Sequence, residues 1–167
     1  MRSQAIGPGS VVHSTFRLDR TYPYPAATVF AAFRDPATKR RWFVEGEGWD
    51  IEEYSADFTV GGREVSRFRW QGGDLIVNET TYYEIVDDRR ITFAYSMTLG
   101  GALMSVSLAT VELLPVGTGT ELSYTEQGTY LDGVVPAADQ PADREHGCRE
   151  LYDALALELA RQEGISP

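Results

Sequence analysis

Few residues of this 167-residue sequence combine a reactive side chain with a spacing that would bring it to a partner, and Glu126 and His146 are the sharpest pair. Leu122, Tyr124 and Glu126 alternate with Glu121, Ser123, Thr125 and Gln127, so the carboxylate shares a face with apolar residues. His146 falls in the first turns of a C-terminal helical pattern, and Tyr95 and Tyr124 would add phenolic hydroxyls. A carboxylate beside an imidazole in an apolar pocket raises the histidine pKa and supports general acid/base chemistry. The same junction also reads as a polar latch, in which Glu126, Gln127, Arg144, Glu145 and His146 anchor helix to sheet, or as a ligand-recognition site. The sequence leaves all three open.

Other chemistries have less support. His13 and His146 are the only histidines, and no ligand pair stands at helical or turn spacing, so no metal is expected. Cys148 lies on an apolar helical stripe, where a cysteine is an inert small hydrophobe, and the glycine pairs fit hairpin turns better than phosphate cradles. No cofactor is expected. Trp42, Phe43, Trp49 and Trp70 supply aromatic surface for a core or a pocket wall. Arg67 and Arg69 alternate with Phe68 and Trp70, which marks an outer strand face or an inward arginine anchoring a ligand carboxylate.

Composition narrows the partners. Fifteen Lys and Arg against 25 Asp and Glu give a net charge of -10, which disfavours nucleic acid. The lone basic run, Lys39-Arg40-Arg41, reads as a helix C-terminus offsetting its own dipole. No apolar run approaches the roughly 18 residues that would span a bilayer, and the single cysteine forms no internal disulfide. A cytoplasmic protein with one domain over residues 13–163 is the expectation. Residues 1–12 are expected to be a loose lead-in, not a signal peptide, and residues 164–167 a tail.

The elements that must position these groups follow from periodicity. His13 to Tyr22 alternates as a half-buried strand, and Pro25 opens a short helix with Val29, Phe30 and Phe33 on one face. Asp35 caps a second short helix running to about Trp42. Trp49 to Leu131 then reads as a meander of six strands punctuated by glycine pairs. In its clearest strand Ile91, Phe93, Tyr95 and Met97 face one way. From Pro141 to Gln162, Cys148, Leu151, Tyr152, Leu155 and Leu159 recur at helical steps, on a helix roughly 33 Å long. Only that helix is long enough to cover the apolar face of the sheet, and where a curved sheet diverges from it a cavity is expected.

Several short stretches carry a resemblance. They are Tyr24-Pro25-Ala26-Ala27-Thr28-Val29-Phe30, Trp42 at the end of the second helix, Asp57-Phe58-Thr59-Val60-Gly61-Gly62, and Gly119-Thr120. In this order they resemble the START-like SRPBCC superfamily, and within it the branch named after the C-terminal domain of an activator of a heat-shock chaperone ATPase. Thr125-Glu126-Gln127-Gly128, Leu131-Asp132-Gly133 and Arg144-Glu145-His146-Gly147 are similar to a bacterial subgroup of that branch. Cys148 stands where the subgroup often has threonine and the wider branch tryptophan.

The resemblance implies an α+β helix-grip fold, with about seven antiparallel strands, two short helices after the first and a long C-terminal helix. It also implies a cavity for a hydrophobic or amphipathic small molecule. The superfamily includes carriers, sensors, cyclases and hydrolases, so no single activity follows. The first expectation is an apolar small-molecule binding protein lined by Trp42, Phe43, Trp70, Phe93, Tyr95, Met97, Met104, Val106, Tyr124, Glu126, His146, Cys148, Leu151, Tyr152 and Leu155. The alternatives are a cofactor-free cyclase, dehydratase or hydrolase using Glu126 and His146, and an interaction module or homodimer.

Overall fold

A computed structural model describes residues 9–164. Strand β1 (Val11–Tyr22) leads into helices α1 (Ala26–Arg34) and α2 (Pro36–Phe43). Strands β2 (Trp49–Ala56), β3 (Arg63–Trp70), β4 (Ile76–Val86), β5 (Arg90–Leu99), β6 (Ala102–Val116) and β7 (Gly119–Leu131) follow, and α3 (Gln140–Gln162) closes the order. The first strand starts two residues before its expected beginning, inside the expected lead-in, while the lead-in's residues 1–8 and the tail's 165–167 lie outside the described residues.

The two short helices form for local reasons. Pro25 precedes α1, whose Val29, Phe30, Ala32 and Phe33 are buried. The Asp35 carboxylate accepts from the Thr38 amide at 3.1 Å, capping α2 just ahead of Pro36. Trp42 Nε1 donates to the Ala32 carbonyl at 2.9 Å and ties the two helices together.

All seven strands form one antiparallel sheet in the order β1-β7-β6-β5-β4-β3-β2. Each strand from β2 to β7 pairs with its sequence neighbour, and β1 adds beside β7. The β5–β6 hairpin turns through Gly100 and Gly101, both at positive φ (58° and 84°), as a tight two-residue connection of this hand requires. Register shifts after Ile51, Tyr82 and Met97 add to the twist and bend of the sheet.

Helix α3 packs on α1, α2, β1 and β7. Leu155 and Leu159 are fully buried there, in a core with Leu18, Val29, Phe30 and Leu122. Tyr22 Oη donates to the mid-helix carbonyl of Tyr152 at 2.8 Å, fixing α3 to the first strand. At the α2–α3 seam the buried Glu158 accepts from Arg41 at 2.9 Å, from Nε and Nη2 of Arg161 and from Gln162. The Arg161 hydrogen bonds, with those from Arg41 and Gln162, outweigh burial and hold the Glu158 carboxyl down at about 2.

Glu158→Gln is therefore expected to cost about 1–2 kcal/mol at neutral pH, after allowance for its partly exposed arginine partners. The unfolded glutamate takes up its proton first, so the contribution is full above the ordinary carboxylate range and is lost as pH falls through about 2. Urea denaturation of both proteins at several acidic pH values measures the difference.

Candidate functional site

The helix covers only part of the concave face. Between its N-terminal half and strands β3 to β5 a cavity of about 500 Å³ remains. Side chains at alternate strand positions reach it: Glu64, Ser66 and Phe68 from β3, Asn78, Thr80 and Tyr82 from β4, and Ile91, Phe93, Tyr95 and Met97 from β5. Phe33, Lys39, Trp42 and Phe43 close one side, and Cys148, Leu151, Tyr152 and Ala154 of α3 form the roof.

Strand register decides which groups meet beneath that roof. Tyr82 pairs with Phe93, Phe93 with Ala109, and Ala109 with Glu126, so these four form one row across β4 to β7. In the next row Glu64, Thr80, Tyr95 and Ser107 stand side by side. Each row carries a buried carboxylate, one near each end of the cavity, and each carboxylate has met a cation from a helix.

Glu126 is completely buried on β7. It accepts from Tyr95 Oη at 2.7 Å, Tyr124 Oη at 2.5 Å and Arg144 Nη1 at 3.0 Å, with the Cys148 thiol 3.7 Å away. Arg144, from α3, also donates to Tyr95 Oη at 2.8 Å and to Ser105 and Ser107 of β6 at 2.7 and 3.3 Å. Its guanidinium lies 5.3 Å from the Tyr95 ring centre and 5.5 Å from that of Tyr130. Burial works against the arginine's charge, but the surrounding Tyr95 and Glu126 outweigh it and raise its pKa. Burial pushes the Tyr95 and Tyr124 phenols well above their usual range, with Glu126 adding to it. The Cys148 thiol is pushed up by burial and by Glu126 in the same way. These groups hold their protons at neutral pH, and the thiol is no nucleophile there.

The second cluster stands at the other end. Lys39 Nζ donates to both Glu64 oxygens at 2.9 and 2.8 Å and to Tyr82 Oη at 3.1 Å, 4.7 Å from the Phe43 ring centre. Tyr82 Oη in turn donates to Glu64 at 2.6 Å, and Tyr54 adds a 3.3 Å bond from β2. Burial, followed by the charge of Glu64, drives the Tyr82 phenol far up. The sequence pattern does not announce this cluster, since the Lys39-Arg40-Arg41 run reads there as a helix C-terminus offsetting its own dipole. The available signal was Glu64, a carboxylate on the inward parity of Ser66 and Phe68.

The expected residues divide accordingly. Trp42, Phe43, Phe93, Tyr95, Met97, Met104, Tyr124, Cys148, Leu151 and Tyr152 line the cavity. His146 does not: it is exposed and sits 3.2 Å from Glu150, on the far side of α3 from Glu126. Of the five residues of the expected polar junction, Glu126 and Arg144 meet, Glu145 pairs with Arg149 at 2.7 Å, and Gln127 is exposed. Glu126 itself lies behind Tyr95 and Tyr124 rather than on the cavity surface.

Val106 is exposed on the outer face, because the register slips between Met97–Ser105 and Thr98–Leu103 and leaves Met104 as the extra residue. Trp70 lies past the last β3–β4 pair, half exposed against Trp49 at 4.8 Å. Leu155 is solid core beyond the end of the cavity. Arg67 and Arg69 pair outside with Glu53 and Glu52. Among the described residues no His, Cys, Asp and Glu cluster could hold a metal, and no helix is long and apolar enough to cross a membrane.

The family model described as Activator of Hsp90 ATPase homolog 1-like protein matches residues 23–160. No curated protein matches the chain. The crystal structure of Mll3558 from Rhizobium loti is 52% identical, covers 89% of this chain and 99% of its own, and superposes with a TM-score of 0.81. A putative uncharacterized protein from Rhizobium leguminosarum is 36% identical over 91% of this chain and 97% of its own, at a TM-score of 0.84. A Chromobacterium violaceum protein at 26% identity gives 0.70, over 87% of this chain and 96% of its own.

Removing one member of the Arg144–Glu126 pair strands a buried charge. Arg144→Met is expected to cost about 3–5 kcal/mol, and Arg144→Met combined with Glu126→Gln distinctly less. Urea denaturation of the two variants beside the parent checks the order.

Proposed function

Because the chain belongs to the Activator of Hsp90 ATPase homolog 1-like family, we propose that it binds a hydrophobic or amphipathic small molecule between α3 and the curved sheet, as a carrier, sensor or sequestering protein. The observation that carries this reading is the space of about 500 Å³ left under α3, within the range of small-molecule sites. Its middle is aromatic and aliphatic, from Phe33, Trp42, Phe68, Phe93, Met97 and Leu151, and its ends carry the two neutralised ion pairs. That is the division expected of a wall that takes an apolar body and orients it by a few polar contacts.

The direction in which the buried phenols and the thiol move supports holding over proton exchange. Tyr82, Tyr95, Tyr124 and Cys148 all move upward, away from neutral pH, chiefly through burial. The alternative acid/base pair, Glu126 with His146, does not assemble, since one residue is fully buried and the other lies on the open face of α3.

Filling the space tests the proposal. Nile red, an uncharged dye, is expected to bind the parent chain with a blue shift of its emission, and Leu151→Trp to weaken that binding by about tenfold or more while the circular dichroism spectrum stays the same. Equal binding by the variant would remove the cavity as the site.

A further inference from the structure

We infer that the cavity selects an uncharged ligand carrying a carbonyl-type acceptor, and rejects an anion of the same shape. The inference rests on the binding role proposed above and deepens it. Two cations line the cavity, and each already faces a buried carboxylate. Lys39 has all three of its donors on Glu64 and Tyr82, and Arg144 is matched by Glu126 at 3.0 Å. A ligand carboxylate entering beside either pair would bring a second buried negative charge to a cation already neutralised, with its own hydration lost.

The cavity entrance adds to this. Glu45, Asp143 and Glu150 lie on its lining and are exposed. Arg40 offsets Glu45 at 2.9 Å, whereas Glu150 meets only the His146 imidazole at 3.2 Å and Asp143 has no cationic partner among the described residues. The chain as a whole is at -10. An approaching anion therefore meets repulsion before it meets any wall contact.

What the wall still offers is a hydrogen bond to an uncharged acceptor. A guanidinium has five N–H groups. Those of Arg144 reach Tyr95, Ser107 and Glu126 through Nη1 and Ser105 through Nη2, while Nε has no acceptor among the described residues. A ligand carbonyl or amide oxygen can take that donor without disturbing the charge balance, and its apolar body can lie along Met97, Phe93 and Leu151.

The test displaces Nile red from the full chain with decanamide, decanoate and decylamine, matched in chain length, near neutral pH and at low ionic strength. Decanamide is expected to displace the dye at a concentration at least about tenfold lower than decanoate. In the Asp143→Asn, Glu150→Gln variant, whose changes lie on the exposed rim, decanoate is expected to gain several-fold and narrow the gap. Decanoate or decylamine binding as tightly as decanamide would overturn the selection for an uncharged ligand and leave the cavity reading standing. An unchanged gap in the rim variant would overturn the part assigned to the rim. Absence of binding by the dye and by all three amphiphiles would overturn the cavity reading, and this inference with it.

Discussion

A seven-stranded sheet is far wider than a helix. With strands about 4.8 Å apart, its face measures roughly 29 Å across before curvature, while a helix with its side chains is about 10 Å thick. One long helix and two short ones must close that face, and they do so unevenly. The C-terminal half of α3 sinks into a filled core with α1, α2 and β1, and its N-terminal half is left suspended over β3 to β5. The cavity is what remains when a sheet of this width is covered by helices gathered toward one edge.

Suspension of a helix over a gap needs fixed points, and the two ion pairs stand where they are needed. Arg144 ties the roof to β5, β6 and β7 through Glu126, Tyr95, Ser105 and Ser107. Lys39 ties α2 to β3 and β4 through Glu64 and Tyr82. Neither pair is a cheap source of stability, because both partners give up hydration. Their value lies in geometry: each fixes one wall of the cavity at a set distance from the sheet.

The fold was legible because its signals are local and repeated. Alternation along Arg90 to Leu99 assigns the inward residues, and the apolar steps from Cys148 to Leu159, with Pro141 suited to a first turn, place the long helix within a residue of its actual start. The inward carboxylate Glu126 was legible by the same parity. Its partner was readable in principle. Arg144, Cys148, Leu151 and Leu155 follow three- and four-residue steps along one helix face, whereas His146 stands two residues from both Arg144 and Cys148, about 200° round the helix from each. The imidazole's chemistry singles out His146, but that spacing turns it away from Glu126. Val106 failed for a different reason, since a bulge at Met104 reverses the parity and no periodicity announces a bulge. Lys39 with Glu64 required knowing that α2 lies over β3, which is tertiary information.

The division of α3 has a consequence for how such a protein can change over generations. Leu155, Glu158 and Leu159 answer to folding, and a substitution there is felt by every part of the core. Leu151 and Ala154 sit on the same helix but are only partly buried and border empty space, where a larger or smaller side chain is absorbed by the cavity with less effect on the core. One helix thus combines a constrained half with a permissive one. A lineage can remodel what the cavity admits by drifting along the permissive half, with the scaffold unaltered.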